Sequence, residues 1–186
     1  MAVSLARRRF TVDDYHRMAQ AGVLTEDDRV ELLEGEIIEM VPIGSRHAAC
    51  VRRLDYLLSP LVKGNALVSV ENPIHLGEHS EPQPDLALLR PRADFYAHAH
   101  PGPEDILLLV EVADATGDYD RTVKVQLYAR AGISEVWLVD LVADEVEVYR
   151  DPGTEDYREK RVARRGEAVT CETLPGVTLA VDEVLG

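Results

Sequence analysis

The sequence predicts a single mixed α/β (or α+β) domain, and three observations carry that prediction. Two short apolar runs, at 83–89 and 106–113, are bounded by proline, glycine or charge, as buried strands are. Residues 45–61 repeat their apolar positions at helical spacing. Residues 134–140 and 145–150 alternate as an antiparallel pair. Helices and strands therefore interleave along one chain, which carries no internal repeat, low-complexity segment or domain linker.

The composition is that of an ordinary soluble globular protein. A chain of 186 residues fits one domain spanning 1–186, with 46% hydrophobic and 29% charged residues. No stretch approaches the roughly 20 apolar residues of a membrane span, and the apolar segment before Arg7 is too short for a signal peptide. Cys50 and Cys171 indicate neither a disulfide framework nor a metal knuckle. We therefore expect a cytoplasmic protein without a membrane partner.

The chain is strongly acidic, with a net charge of −14 and a pI of about 4.8. Dense basic runs occur only at 7–9 and 160–165. Proteins that grip nucleic acid through its phosphates usually carry a basic patch. The acidic balance therefore counts against tight, non-specific nucleic-acid binding by a monomer. It leaves room for a local basic rim, or for a site where divalent cations offset the acidity.

The amino-terminal segment predicts a helix followed by a hairpin. Thr11 and Asp14 have the spacing of a capping box, which opens a helix through about Gln20. Residues 29–40 are typical of two short strands that turn at Glu34–Gly35.

The next segment predicts a second helix and a strand. Ser45 is placed to cap a helix that runs to about Leu61. A strand at 66–70 follows, and we expect residues 71–76 to extend it past an irregularity.

The carboxyl-terminal half predicts a long loop, a helix and further strands. Residues 91–105 form a loop whose length is typical of functional segments, and we expect it to shape access to the site. A turn at 114–118 leads into a helix over 119–130. The tail reads as short strands at 157–163 and 177–181.

Two carboxylates stand in the predicted buried strands without a structural reason. Asp85 opens one apolar run, and Glu111 lies inside the other. Burying an unpaired carboxylate costs several kcal/mol, so such a group usually finds a cation, a metal or a raised pKa. Two carboxylates on neighbouring strands make a hard, oxygen-rich site that suits Mg²⁺ or Mn²⁺.

Three further residues leave alternatives open. Lys124 shares a helical face with apolar residues, so it either extends its ammonium inward to the carboxylates or forms a surface ion pair with Asp120. Glu31 is either a site residue or part of a solvated strand face. His47 begins an apolar stripe, where a packing role is commoner than contact with a phosphate or with the reacting atoms.

Two other hydrolytic chemistries fit the sequence poorly. The spacing of His75 and His79, with His98 and His100 nearby, imitates a zinc helix, but Pro73 and Gly77 interrupt any regular helix there. A Ser/His/Asp hydrolase lacks support because no serine lies in a Gly-x-Ser-x-Gly elbow.

Four segments of the sequence belong together: Val-Glu-Leu-Leu-Glu-Gly-Glu-Ile at 30–37, Gln-Pro-Asp-Leu at 83–86, Leu-Val-Glu-Val at 109–112 and the run from Asp120 to Asp140. In combination they resemble the Uma2 family of restriction-endonuclease-like proteins, within the PD-(D/E)XK nuclease superfamily. The resemblance covers roughly residues 10–180, and the last segment is its most specific part.

The resemblance implies a central mixed sheet flanked by helices and a magnesium-dependent site. Asp85 and Glu111 match the two motif acids and would bind Mg²⁺ or Mn²⁺, with the Val112 carbonyl as a third ligand. Ala113 departs from the superfamily pattern, since a lysine normally stands there; Lys124 matches the position to which the family has moved it. Glu31 matches an amino-terminal acid that serves either as an outer contact or as a ligand of a second metal.

The activity that this resemblance implies is endonucleolytic hydrolysis of phosphodiester bonds in nucleic acid, and DNA is expected ahead of RNA as the substrate. The alternative is a nuclease-fold binding or regulatory domain with weak or lost catalysis, which the acidic charge and the displaced lysine favour. Many nucleases of this fold act as homodimers. Trp137 and Val139 either contribute to such an interface or pack in the core, and their alternating positions do not distinguish the two.

Overall fold

The chain folds around a six-stranded mixed sheet with helices against both faces, and the computed structural model describes residues 8–25, 27–114 and 119–186. The elements, in chain order, are α1 (Val12–Gln20), β1 (Val30–Leu33), β2 (Glu36–Glu39), α2 (Ser45–Val62), β3 (Leu67–Val70), β4 (Leu86–Leu89), a 3₁₀ turn (Pro103–Asp105), β5 (Ile106–Ala113), a π-helical turn (Asp120–Lys124) that continues into α3 (Val125–Arg130), β6 (Glu135–Asp140), β7 (Glu145–Pro152), β8 (Tyr157–Arg164), β9 (Ala168–Thr170), β10 (Thr178–Ala180) and α4 (Val181–Leu185).

The central sheet has the strand order β3-β4-β5-β6-β7-β8. Its neighbours are antiparallel except for β5 and β6, which are parallel. A parallel pair needs a crossover connection, and the π-helical turn with α3 supplies it. Every residue of β5 is buried, as expected of a strand covered on both faces. The predicted mixed α/β architecture is therefore confirmed.

Two apolar cores lie on opposite faces of the sheet. On one face, α2 and α4 pack through residues such as Leu54 against Trp137 and Val139. On the other, α3 packs Tyr128 against Leu138. Trp137 and Val139 are fully buried, so they are core residues and are unavailable to a dimer interface. None of the helices in the described ranges is long and apolar enough to cross a membrane.

Local signals at the amino terminus are confirmed except for one helix cap. Thr11 and Asp14 form the predicted capping box, in which each side chain accepts a hydrogen bond from the other residue's main-chain N–H. The hairpin turns at Glu34–Gly35, where both residues have positive φ angles, as a type I′ turn requires. The predicted cap at Ser45 is wrong: Gly44 is the N-cap, and no side chain caps this helix.

Two predicted strands differ from the structure. The extension over 71–76 is wrong, because the strand ends at Val70 and Glu71 adopts a φ of 52°, which turns the chain out of the sheet. The predicted strand at 177–181 is shorter, since Val181 begins α4, and it pairs with β9, which the sequence did not predict. Most of the predicted turn at 114–118 lies outside the described residues.

The basic run at 160–165 lies on β8, at the edge of the sheet, and its charges are paired. Lys160 lies 3.1 Å from Glu147, and Arg164 lies 3.0 Å from Glu145. Arg165 contacts Asp144 at 2.6 Å. This run therefore offers little uncompensated positive charge. In the other basic run, Arg7 lies outside the described residues.

A buried carboxylate on β7 links the edge strand β8 to the crossover. Glu147 is 4% exposed and contacts Arg121 at 3.0 Å and Lys160 at 3.1 Å, while Tyr149 donates its hydroxyl to the same carboxylate. Burial alone would raise the pKa of Glu147, but hydrogen bonds from Tyr149, Lys160 and Arg121 hold that pKa below its ordinary value. The ionised form is therefore the one that the fold stabilises.

We expect Glu147→Gln to lower the free energy of unfolding by about 2 kcal/mol at pH 7, because it leaves partly buried cations without their carboxylate. A carboxyl whose folded pKa is depressed stabilises the fold above its unfolded pKa of about 4.3, and this contribution is lost as the pH falls through the folded pKa. The difference between the variant and the wild type should therefore shrink below about pH 4.

Urea unfolding at a series of pH values measures both effects. Glu159→Gln is the matched control, because Glu159 is exposed on the neighbouring strand, β8. Equal stability losses in the two variants at pH 7 would contradict the role assigned to Glu147.

Candidate active site

A pocket of about 770 Å³ opens beside the hairpin of β1 and β2, the start of α2 and the carboxyl end of β5. The predicted site residues all line it, although they come from distant parts of the sequence. They are Glu31, His47, Asp85, Glu111, Val112 and Lys124.

Asp85 is held at the amino end of β4 by two contacts to one of its oxygens. Oδ2 accepts a hydrogen bond of 2.7 Å from the Val112 N–H, and Nε2 of His47 lies 3.0 Å from the same oxygen. The hydrogen bond with Asp85 raises the pKa of His47. No group in the described parts of the chain hydrogen-bonds to Oδ1 of Asp85. One carboxylate oxygen is therefore fixed, and the other is left for a ligand.

The proline of the Pro-Asp pair has a structural consequence on the neighbouring strand. Leu86 pairs with Val110, so extending the antiparallel register by two residues sets Pro84 opposite Val112. The N–H and C=O of one residue point to the same edge of a strand, and the Val112 N–H points toward Asp85. Proline has no N–H to donate to the Val112 carbonyl. This carbonyl oxygen is therefore directed at the Asp85 side of the pocket without a ladder partner there.

Glu111 is buried at the carboxyl end of β5 between a hydroxyl and an ammonium. Its Oε1 accepts a hydrogen bond of 2.5 Å from the Tyr128 hydroxyl and lies 3.5 Å from Nζ of Lys124. Burial raises the pKa of Glu111; Lys124 opposes the rise, and the carboxylates of Asp85 and Asp120 add to it. Like charges thus crowd this carboxyl, and a cation would relieve the crowding.

Lys124 extends its ammonium inward. The two alternatives, a surface ion pair for Lys124 and a solvated strand face for Glu31, are both wrong. Nζ lies 3.3 Å from Oε2 of Glu31 and 3.5 Å from Oε1 of Glu111. Burial lowers the pKa of Lys124, but the carboxylates of Glu111 and Glu31 outweigh it and raise that pKa above its usual value. Lys124 is only 6% exposed and Glu31 only 3%, which excludes a surface ion pair and a solvated strand face. The main-chain N–H of Gln83 also donates to Glu31 at 3.1 Å.

The pocket is strongly negative. Its basic lining residues are Arg29 and Lys124, with His47 beside them, whereas seven acidic residues face it: Glu31, Glu39, Glu71, Asp85, Glu111, Asp114 and Asp120. A polyanion entering such a pocket would be repelled, and a cation would be attracted. The electrostatics therefore favour a bound cation before any phosphate can approach.

The donor set fits Mg²⁺ or Mn²⁺ and does not fit zinc. Asp85 and Glu111 each keep one oxygen that no described residue bonds, and the strand register directs the Val112 carbonyl to the Asp85 side of the pocket. Mg²⁺ is commonly held by one or two carboxylates and keeps several waters. Across residues 8–25, 27–114 and 119–186, no three His, Cys, Asp or Glu side chains form a metal-binding group. A magnesium ion here would thus complete its shell with main-chain and water oxygens.

The histidines of the zinc hypothesis serve other contacts. Nδ1 of His79 lies 2.8 Å from the carbonyl oxygen of Phe10, and His75 lies 3.9 Å from Glu81. The structure does not gather these residues with His98 and His100 into a site.

Several residues that line the pocket were not predicted from the sequence. Residues 40–44, which connect the hairpin to α2, line the pocket, as do Tyr119 and Asp120. The loop at 91–105 contributes no lining residue, so the expectation that it shapes access to the site is wrong. The run Met-Val-Pro-Ile-Gly at 40–44 was the available signal, since it is apolar yet too irregular for a strand.

The comparisons with known proteins agree with this fold. A family model named Uma2, with the description "Putative restriction endonuclease", matches residues 12–182. A crystal structure described as "a putative nuclease belonging to DUF820", from Anabaena variabilis ATCC 29413, aligns with a TM-score of 0.75 at 19% identity, covering 95% of this chain and 97% of that chain. At this identity the likeness shows a shared fold. No curated protein matches significantly. Because the family match spans most of its length, the chain belongs to the Uma2 family.

Proposed function

We propose that this protein is a metal-dependent nuclease that hydrolyses phosphodiester bonds in DNA at the pocket lined by Asp85 and Glu111. One observation carries the proposal: two carboxylates and a buried ammonium, all from separate elements, converge on one pocket. Membership of a restriction-endonuclease-like family and the nuclease-like fold support the same activity. We further propose that it acts in the cytoplasm.

Asp85, Glu111 and the Val112 carbonyl would hold Mg²⁺ or Mn²⁺. A divalent cation bound there lowers the pKa of a coordinated water and acts as a Lewis acid toward a phosphate oxygen. His47 and the Val112 N–H fix one oxygen of Asp85, which leaves the other in a defined orientation. Tyr128 fixes one oxygen of Glu111 in the same way.

Lys124 supplies the positive charge of the chain itself. Its ammonium is positioned to orient a water and to offset negative charge that develops on the scissile phosphate. Glu31 holds this ammonium from the far side at 3.3 Å, so we assign Glu31 an outer, positioning role. In the wider superfamily a lysine stands at the position of Ala113. Lys124 would take over its function from the crossover.

Pairing of two copies would let such a nuclease cut both strands of a duplex, and a homodimer stays a prediction. Its interface would have to use surface residues, because Trp137 and Val139 are buried within one copy.

A second candidate is a nuclease-fold domain that binds a partner without useful catalysis. The charge of the pocket favours it: seven acidic residues face two basic ones, and the basic strand at the sheet edge is neutralised. Metal binding without cleavage of any nucleic acid would select this candidate.

The metal site is tested by isothermal titration of Mn²⁺ and Mg²⁺. We expect Asp85→Asn and Glu111→Gln each to weaken Mn²⁺ binding at least about 100-fold, because each removes one of two carboxylate ligands. Glu39→Gln is the matched control: it removes one charge from the pocket rim and should change the affinity less than about threefold. No Mn²⁺ binding by the wild type would remove the basis of the site.

The chemical role of Lys124 is tested by cleavage of plasmid and single-stranded DNA. We expect Lys124→Met to lower the rate by about 10²–10³-fold, while Mn²⁺ binding is retained, because the ammonium acts on the phosphate and competes with the metal for carboxylates.

The Lys124→Met change leaves Glu31 buried without its cation, so stability must be separated from chemistry. The double variant Glu31→Gln with Lys124→Met should regain thermal stability without regaining activity. Recovery of cleavage in the double variant would show that Lys124 serves only the fold.

A further inference from the structure

Buried polar atoms without a partner are rare in this protein, and two of them face the same pocket. In the described ranges, the buried side-chain atoms that lack a hydrogen bond are Nδ1 of His47, the hydroxyl of Tyr119 and Nε of Arg150. Tyr119 and His47 both line the pocket. A buried donor without a partner costs about 1–3 kcal/mol, so its retention calls for a reason. A ligand that completes the bond is such a reason.

Tyr119 differs in this respect from the other tyrosines. Of the seven in the chain, one is largely exposed (Tyr56), and five donate their hydroxyl to a carbonyl or a carboxylate: Tyr15, Tyr96, Tyr128, Tyr149 and Tyr157. The fold thus satisfies buried phenols elsewhere. Only the hydroxyl of Tyr119 is left both buried and unpaired among them.

The surroundings of this hydroxyl keep it a donor. Burial raises the pKa of Tyr119, and the carboxylate of Glu31 raises it further. The phenol is therefore protonated at neutral pH. Lys124, the cation that acts on Tyr119, is already shared between Glu31 and Glu111. The proton of Tyr119 is thus an uncommitted hydrogen-bond donor beside the predicted reaction centre.

Tyr119 lies next to two other residues that line the pocket. It immediately precedes the π-helical turn, in which Asp120 and Lys124 are both buried and both line the pocket. π-Helical turns are rare and are frequent at functional sites, because they redirect side chains that a regular helix would point elsewhere. Three residues of one short segment therefore face the same cavity.

We propose that Tyr119 is a substrate-contacting residue whose hydroxyl donates a hydrogen bond to a non-bridging oxygen of the phosphodiester. This inference rests on the proposed nuclease activity. A neutral donor suits the place, since it stabilises an anionic oxygen and needs no counter-charge among the carboxylates. The hydroxyl gains a partner when substrate is present, and its contribution increases as charge develops on the phosphate.

Tyr119→Phe tests the proposal, because it removes one oxygen atom and nothing else. We expect the variant to melt at the wild-type temperature or slightly higher, since an unpaired buried hydroxyl is lost. Its Mn²⁺ affinity should be unchanged. The cleavage rate at saturating Mg²⁺, and the affinity for a phosphorothioate oligonucleotide in Ca²⁺, should fall roughly 10- to 100-fold.

Tyr157→Phe is the matched control, because the Tyr157 hydroxyl is buried and donates to the carbonyl of Ile133 at 2.7 Å, away from the pocket. This variant should melt a few degrees lower and keep its activity per folded molecule.

The outcomes separate this inference from the proposed function. If the wild type cleaves DNA and Tyr119→Phe cleaves it equally well, the inference fails and the nuclease proposal stands. If Tyr119→Phe melts as low as Tyr157→Phe, the hydroxyl has a structural partner and the inference also fails. If the wild type neither binds nor cleaves any nucleic acid in the presence of divalent cations, the nuclease proposal fails, and the inference is overturned with it.

Discussion

The structure of the site depends on one buried ammonium between two buried carboxylates. Lys124 lies 3.3 Å from Glu31 and 3.5 Å from Glu111, and these three side chains come from the crossover helix, the hairpin and the central strand. Removing the ammonium would leave both carboxylates uncompensated in a region nearly closed to water, at a cost of several kcal/mol. The triad therefore links the hairpin to the central strand and to the crossover. The ammonium also offsets part of the negative charge of the pocket.

The sheet topology delivers the reacting groups to one end. Asp85 stands at the beginning of an antiparallel strand and Glu111 near the end of its neighbour, so opposite chain directions bring the two acids to the same edge. The parallel step from β5 to β6 requires a helical crossover, and that crossover brings Lys124 back over the same edge. A purely antiparallel meander would supply the two acids but no helix to return the lysine.

The sequence was sufficient for most of the helices and strands and for the two acids of the pocket, because a carboxylate inside an apolar strand has few explanations. It was insufficient for Lys124, because helical spacing allows this side chain to point either toward solvent or toward the site. The π-helical turn directs Lys124 to the site, and a turn of this kind has no periodic sequence pattern. Residues 40–44 were missed because a short irregular connection has no sequence pattern. The loop at 91–105 was wrongly expected to shape access to the site, because the length of a loop does not indicate where it lies in the fold. Tyr119 was missed for a third reason: an unpaired hydroxyl is a property of three-dimensional packing.

The paired charges along β8 have a consequence for the protein in solution. An edge strand presents unpaired main-chain donors and acceptors to any other extended chain, and long flat edges invite intermolecular strand addition. Here the edge carries Arg158, Lys160, Arg161 and Arg164, each held by a carboxylate of the same molecule. A second strand that docked there would bury and desolvate some of these charged side chains, which is unfavourable. The basic run on β8 is therefore expected to disfavour the addition of another strand at this edge of the sheet.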